Sequence, residues 1–134
     1  MLESWNWQAW YQALTKPSWT PSGETIGIIW SILYPIIFVT FGIIFYKVYK
    51  KKFKSYVATP FIINLLANFA FTPIQFGLKN LPLAALDILI VWITIIWGIK
   101  IVWKSSKILS LAQIPYLIWV TIATILQLSI TLSN

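Results

Sequence analysis

Residues 10–34 read WYQALTKPSWTPSGETIGIIWSILY, and this stretch decides how the rest of the chain is understood. Its first half is polar and aromatic, with Trp10, Tyr11, Lys16 and Trp19 among Pro17 and Pro21. A residue before proline is pushed toward extended geometry, so Lys16-Pro17 and Thr20-Pro21 keep this half from being one helix. Ser22-Gly23-Glu24-Thr25 then supplies an N-cap and an early acid. From Thr25 to Tyr46 no charged residue occurs, and a helix over those positions is about 33 Å long, enough to cross a bilayer.

Outward from there the pattern repeats. Spans are expected at 25–46, 55–77, 81–103 and 109–132, which makes residues 25–134 an all-α transmembrane bundle and 1–24 a Trp-rich interfacial segment. The apolar blocks are far longer than the strands of a membrane barrel. With 59% hydrophobic and 10% charged residues, the composition lies outside that of soluble domains. Residues 1–9 lack the basic start and apolar core of a signal peptide. Trp5, Trp7, Trp10, Tyr11 and Trp19 suit the headgroup layer.

All ten basic residues are lysines, giving a net charge of +7. Eight of them lie at 47–54, at 100 and at 104–107, between apolar blocks, leaving Lys16 and Lys79 for the other side. That is the positive-inside pattern rather than a nucleic-acid surface. It predicts that the loops 47–54 and 104–107 are cytoplasmic and that the loop 10–24 lies on the outer side. Neither cysteine nor histidine occurs, which excludes disulfides, imidazole or thiolate metal sites, and Ser-His or Cys-His nucleophiles. No metal or cofactor is expected.

On that topology the intramembrane polar groups gather beneath the 10–24 loop. Asn64, Asn68, Phe71 and Gln75 fall within about 60° of one another on a helix. Asp87, Val91, Thr94 and Gly98 form a comparable stripe, and Trp30 pairs with Tyr34 one turn on. Trp119 and Gln127 lie in the last span. Polar groups at this depth face protein or a wet cavity. A cavity lined by Trp, Tyr, Phe, Asn and a carboxylate fits a flat, amphipathic aromatic ligand. The plainer readings are that Asn64, Asn68 and Gln127 are interhelical hydrogen-bond glue and that Trp92, Trp97 and Trp103 are packing or interface anchors. Gly27 and Ser31 form a small-xxx-small pair that hints at close helix contact.

WYxxLxKPSWTP followed by IGxIWxxLY resembles the tryptophan-rich sensory protein/translocator protein (TspO/MBR) family. So do Asn68-x-x-Phe71-Thr72-Pro73-x-x-Phe76-Gly77, Lys79-Asn80 and Pro115-Tyr116-Leu117-x-Trp119, and the resemblance covers residues 10–134. It implies a helical membrane bundle, often a homodimer, that binds porphyrins and related tetrapyrroles. By motif the family's two pocket tryptophans match Trp30 and Trp119. Phe71 stands where many members have Trp, and Ser22 replaces a second proline. The family has five helices; its first would precede Trp10, where nine residues stand, so a four-helix member or an upstream start is expected.

The resemblance together with the polar map implies a ligand site of Trp10, Tyr11, Lys16, Trp19, Trp30, Tyr34, Asn68, Phe71, Asp87, Trp119 and Gln127. Trp30, Tyr34, Phe71 and Trp119 would stack on a macrocycle, Asn68 and Gln127 bond its polar edge, and Lys16 meet a propionate. The leading expectation is a porphyrin-binding sensor or regulator. Light-dependent protoporphyrin breakdown through Trp30 and Trp119, and tetrapyrrole transport, are the alternatives. Nothing resembles an acid-base pair, so enzymatic chemistry in the dark is not expected. The partners expected are the ligand and the lipid bilayer.

Overall fold

The computed structural model describes residues 10–134. Trp5, Trp7 and any span ahead of Trp10 lie outside the described residues. From Gly23 onward the described residues form five α-helices: α1 Gly23–Tyr49, α2 Ala58–Thr72, α3 Leu81–Trp103, α4 Lys107–Leu111 and α5 Ile114–Ser133. Short turns at either end extend α2 to Ser55–Gly77, and α4 with α5 makes Lys107–Ser133, so four segments are long and apolar enough to cross a membrane. The chain is an integral multi-pass membrane protein.

The helix ends follow from local chemistry. The Thr25 amide donates to Ser22 Oγ at 3.1 Å, capping α1, and the Leu83 amide donates to Asn80 Oδ1 at 3.0 Å, capping α3. Glu24 in the first turn of α1 and Lys47 in its last oppose the helix dipole favourably. Pro73 has no amide to give the carbonyl one turn back, and the chain answers with a wide turn over Pro73–Gly77, closed by the Leu78 amide on Pro73 O at 3.0 Å. Lys79 then takes a left-handed φ of 52° and reverses the chain into α3.

The last span differs from the single helix expected over 109–132. Pro115 cannot donate to Leu111, so α4 ends there and α5 restarts at Ile114 with the proline in its first turn, where a missing amide is harmless. Pro35, by contrast, sits within a continuous α1.

Helix α3 is the centre of the bundle, with α2 and α5 packed along it and α1 closing the far side. Ile37, Phe41 and Ile44 meet Phe61, Val91, Ile95, Val102, Tyr116 and Val120 in one continuous core. Lipid tails are as apolar as these side chains, so shape complementarity rather than water exclusion holds the helices together. Among the glycines the tightest is Gly98, where a Cβ would stand 2.8 Å from Phe61 Cζ. The small-residue contact is therefore there and not at Gly27, beside which a Cβ would meet open space. Ser31 only returns its hydroxyl to Ile28 O, at 2.6 Å.

The tryptophans of α3 divide. Trp92 Nε1 donates to Thr121 Oγ1 of α5 at 3.0 Å, a packing role. Trp97 and Trp103 are exposed on the outer surface, with Lys107 Nζ 5.3 Å above the Trp103 ring.

Candidate functional site

The polar residues of the spans are joined by a directed chain of hydrogen bonds. Tyr34 Oη donates to Asn68 Oδ1 at 3.2 Å, and Asn68 Nδ2 donates to Tyr116 Oη at 2.7 Å. Tyr116 Oη donates to Asn64 Oδ1 at 2.9 Å. Asn64 Nδ2 then reaches Val91 O at 3.0 Å and Thr94 Oγ1 at 3.2 Å, and Thr94 Oγ1 ends on Ile90 O at 2.7 Å. All four long helices are tied by this one network. Asn64 and Tyr116 are wholly buried, so their polar groups are satisfied by protein rather than water.

Beside the network lies a cavity of about 310 Å³. Trp30 and Tyr34 come from α1, Asn68 and Phe71 from α2, and Trp119 and Gln127 from α5. The π-faces of Trp30 and Tyr34 are stacked, centroids 4.9 Å apart and planes 27° off parallel. Tyr11 closes the loop end, edge-on to Phe76 at 5.5 Å. Burial pushes the Tyr11 phenol above its ordinary value, so it remains a proton donor at neutral pH.

Seven of the sequence-derived candidates thus meet on one cavity: Tyr11, Trp30, Tyr34, Asn68, Phe71, Trp119 and Gln127. Four do not line it. Trp10 packs with Leu81, Leu126 and Ile130 instead. Lys16 turns its ammonium onto the carbonyls of Tyr11 at 2.8 Å, Leu14 at 3.2 Å and Gln12 at 3.4 Å, and stands 4.8 Å over the Tyr11 ring. Trp19 is half exposed on the loop. Asp87 is buried on α3 but off the wall, its Oδ2 without a hydrogen-bond partner. The carboxylate expected in the lining is therefore not there.

Other residues enter that were not singled out as ligand contacts. Gln75 and Phe76 line the cavity from the wide turn at Pro73–Gly77, and Ile26, Thr72, Ile88, Val91, Ala123, Leu126 and Ile130 also line it. Gln75 is 4% exposed and its Oε1 has no partner; Trp119 Nε1 is likewise buried and unpaired. The helical stripe that joins Asn68 and Phe71 already pointed to Gln75, and Trp119, Ala123 and Gln127 follow one another at i+4. Tyr116, the hub of the network, gave no sign beyond its place in the Pro-Tyr-Leu-x-Trp motif.

A second hollow, about 390 Å³ between Leu78–Pro82 and Thr131–Asn134, has no aromatic lining. Among the described residues no group of His, Cys, Asp and Glu could hold a metal ion.

The sequence profile of the TspO/MBR family matches residues 1–132. The chain is 42% identical over 127 residues to the uncharacterized membrane protein YtaB of Bacillus subtilis, covering 95% of this chain and 81% of that one. It is 42% identical to the tryptophan-rich protein TspO of Bacillus cereus, covering 92% and 79%. Against the human translocator protein the identity is 29%, with 93% and 75% covered. With that profile match over nearly its full length and the aromatic cavity set between its spans, the chain belongs to the TspO/MBR family of integral membrane proteins.

Proposed function

We propose that this protein binds a flat, aromatic, amphipathic ligand of the porphyrin class in the cavity between α1, α2, α3 and α5, as a sensor or regulator of such compounds. The observation that carries the reading is the convergence of Trp30, Tyr34, Phe71 and Trp119 on one 310 Å³ space with Asn68, Gln75 and Gln127 as its polar points. Aromatic walls with few polar groups are what such a ligand needs. A tetrapyrrole is larger than this space, so it would enter by one edge. Neither His nor Cys is available as an iron ligand, and metal-free porphyrin is expected to bind about as well as haem.

The lysine asymmetry supports placing loops 47–54 and 104–107 in the cytoplasm, with the 10–24 loop and the cavity toward the outer side. Quenching of intrinsic fluorescence by protoporphyrin in lipid nanodiscs tests the reading. Saturable quenching near one ligand per chain is expected, and its absence in folded protein would remove the proposal.

One further observation favours a second activity on the same site. Trp30 and Trp119 line one cavity, so a single bound porphyrin would touch both rings. Light-driven oxidation of the porphyrin by dioxygen would then pass through them. Bleaching under illumination should slow in Trp30→Phe/Trp119→Phe at equal ligand occupancy; equal bleaching would rule this activity out.

A further inference from the structure

The hydrogen bonds beside the cavity run in one direction, and their buried end sets it. A backbone carbonyl can only accept, so the 3.0 Å contact of Asn64 with Val91 O must be made by Nδ2. Thr94 imposes the same orientation: its hydroxyl donates to Ile90 O at 2.7 Å and so accepts from that Nδ2 at 3.2 Å. Asn64 Oδ1 is thereby turned toward Tyr116, whose hydroxyl must donate to it at 2.9 Å. With its one hydrogen given, Tyr116 Oη can only accept from Asn68, which presents Nδ2 at 2.7 Å. Asn68 Oδ1 is left facing Tyr34, and the Tyr34 hydroxyl must donate to it at 3.2 Å.

Turning either amide over would set two oxygens 3.0 or 2.7 Å apart with no hydrogen between them. Asn64 and Asn68 are both buried, so water does not relieve a reversed orientation. Tyr34 and Asn68 both line the cavity, and the bond between them lies on its wall. With its hydrogen held by Asn68, Tyr34 Oη has only lone pairs for whatever is bound there. No residue of the lining carries a charge, so hydrogen bonding rather than ion pairing decides polar recognition in the cavity. The lining is not acceptor throughout: Trp119 Nε1 is a donor without a partner, so the discrimination belongs to the Tyr34 point.

We propose that Tyr34 is a specificity-determining residue of the cavity: as an acceptor only, it selects flat ligands that bring an N–H donor, such as a pyrrole or lactam N–H, against analogues with oxygen at that point. Asn68, Tyr116 and Asn64 are its positioning residues, and the Val91 carbonyl fixes their polarity. The proposal rests on the ligand reading given above and narrows it. A ligand lone pair set against Tyr34 Oη would leave both acceptors unpaired, and a site built for a hydrogen-bonding group rejects the analogue that lacks it.

Carbazole and dibenzofuran are flat tricycles of nearly the same shape, with N–H in one where the other has oxygen. Their affinities for protein in phosphatidylcholine nanodiscs are measured by titration calorimetry, with empty nanodiscs subtracted. Wild type should bind carbazole about tenfold more tightly, the scale of one buried hydrogen bond. Tyr34→Phe, which keeps the ring, should abolish the preference. Tyr116→Phe should reduce it as well, because Asn68 can then turn over and release the Tyr34 hydrogen. If Tyr116 served packing alone, both ligands would weaken alike and the preference would stay, which contradicts the positioning role. Equal wild-type affinities, tighter dibenzofuran, or a carbazole preference kept in Tyr34→Phe overturn the proposal. Failure of carbazole to bind protein that does take protoporphyrin overturns it too, and leaves the function reading standing. Binding of neither compound removes the function reading, and this proposal with it.

Discussion

Tyr116 Oη accepts a hydrogen bond from Asn68 Nδ2 at 2.7 Å and donates its own to Asn64 Oδ1 at 2.9 Å. One hydroxyl on α5 thereby fixes two side chains of α2, one of them on the cavity wall and the other anchored to α3. The network is the structural link between the shape of the site and the packing of the bundle. Tyr116→Phe keeps the ring and strands both asparagines. Unfolding in mixed detergent micelles should show a loss of about 1–2 kcal/mol, the range for interhelical hydrogen bonds whose partners stay buried. Tyr34→Phe, at the partly exposed end of the chain, should lose less.

Gly98 is held to its identity by Phe61. A Cβ there would come within 2.8 Å of Phe61 Cζ and 2.9 Å of its Cε1, and the ring is wholly buried, edge-on to Phe41 at 4.9 Å. Gly98→Ala should destabilise by about 1–3 kcal/mol, as overpacking does. Adding Phe61→Leu should recover part of that loss. A double-mutant cycle measures the coupling, and simple additivity would show that the two sites do not meet.

Lys79 carries a φ of 52° between the wide turn and α3. Left-handed geometry is unfavourable for an L side chain by about 1–2 kcal/mol and worse for a β-branched one. Lys79→Gly should therefore leave thermal stability unchanged or raised, and Lys79→Val should lower it. Equal melting of the two variants would mean that the turn relaxes elsewhere.

Asn134 holds Thr15 by both backbone groups. Asn134→Ala should remove protection of the Thr15 amide in hydrogen exchange and leave α3 amides protected, because the contact is local and exposed. Unchanged exchange at Thr15 would show that the loop is held by Trp10 and Tyr11 alone.

How much of this was legible beforehand depends on the kind of signal. Long apolar runs and lysine clusters marked the four spans, because hydropathy over twenty residues outweighs a single side chain such as Asp87. Of the stripe Asn64, Asn68, Phe71 and Gln75, the last three line the cavity and Asn64 joins the hydrogen-bond network instead, since helical periodicity fixes which residues share a side but not what each one meets. Breaks were harder. Pro35 and Pro115 look alike in sequence, yet α1 continues and the last span divides. Lys16 and Asp87, expected among the ligand contacts, do not line the cavity. Sequence gives the depth of a charged residue but not which way its side chain turns, and Lys16 found carbonyls within its own loop.

The most direct test of the account compares the protoporphyrin affinities of four proteins in nanodiscs: wild type, Trp30→Leu, Trp119→Leu and Trp103→Phe. Loss of one stacking wall should weaken binding by about tenfold for Trp30→Leu and for Trp119→Leu, since a tenfold change corresponds to about 1.4 kcal/mol. Trp103→Phe, at the lysine-rich end and away from the cavity, should bind as the wild type does. Equal affinities across all four would contradict the assignment of the aromatic cavity as the binding site.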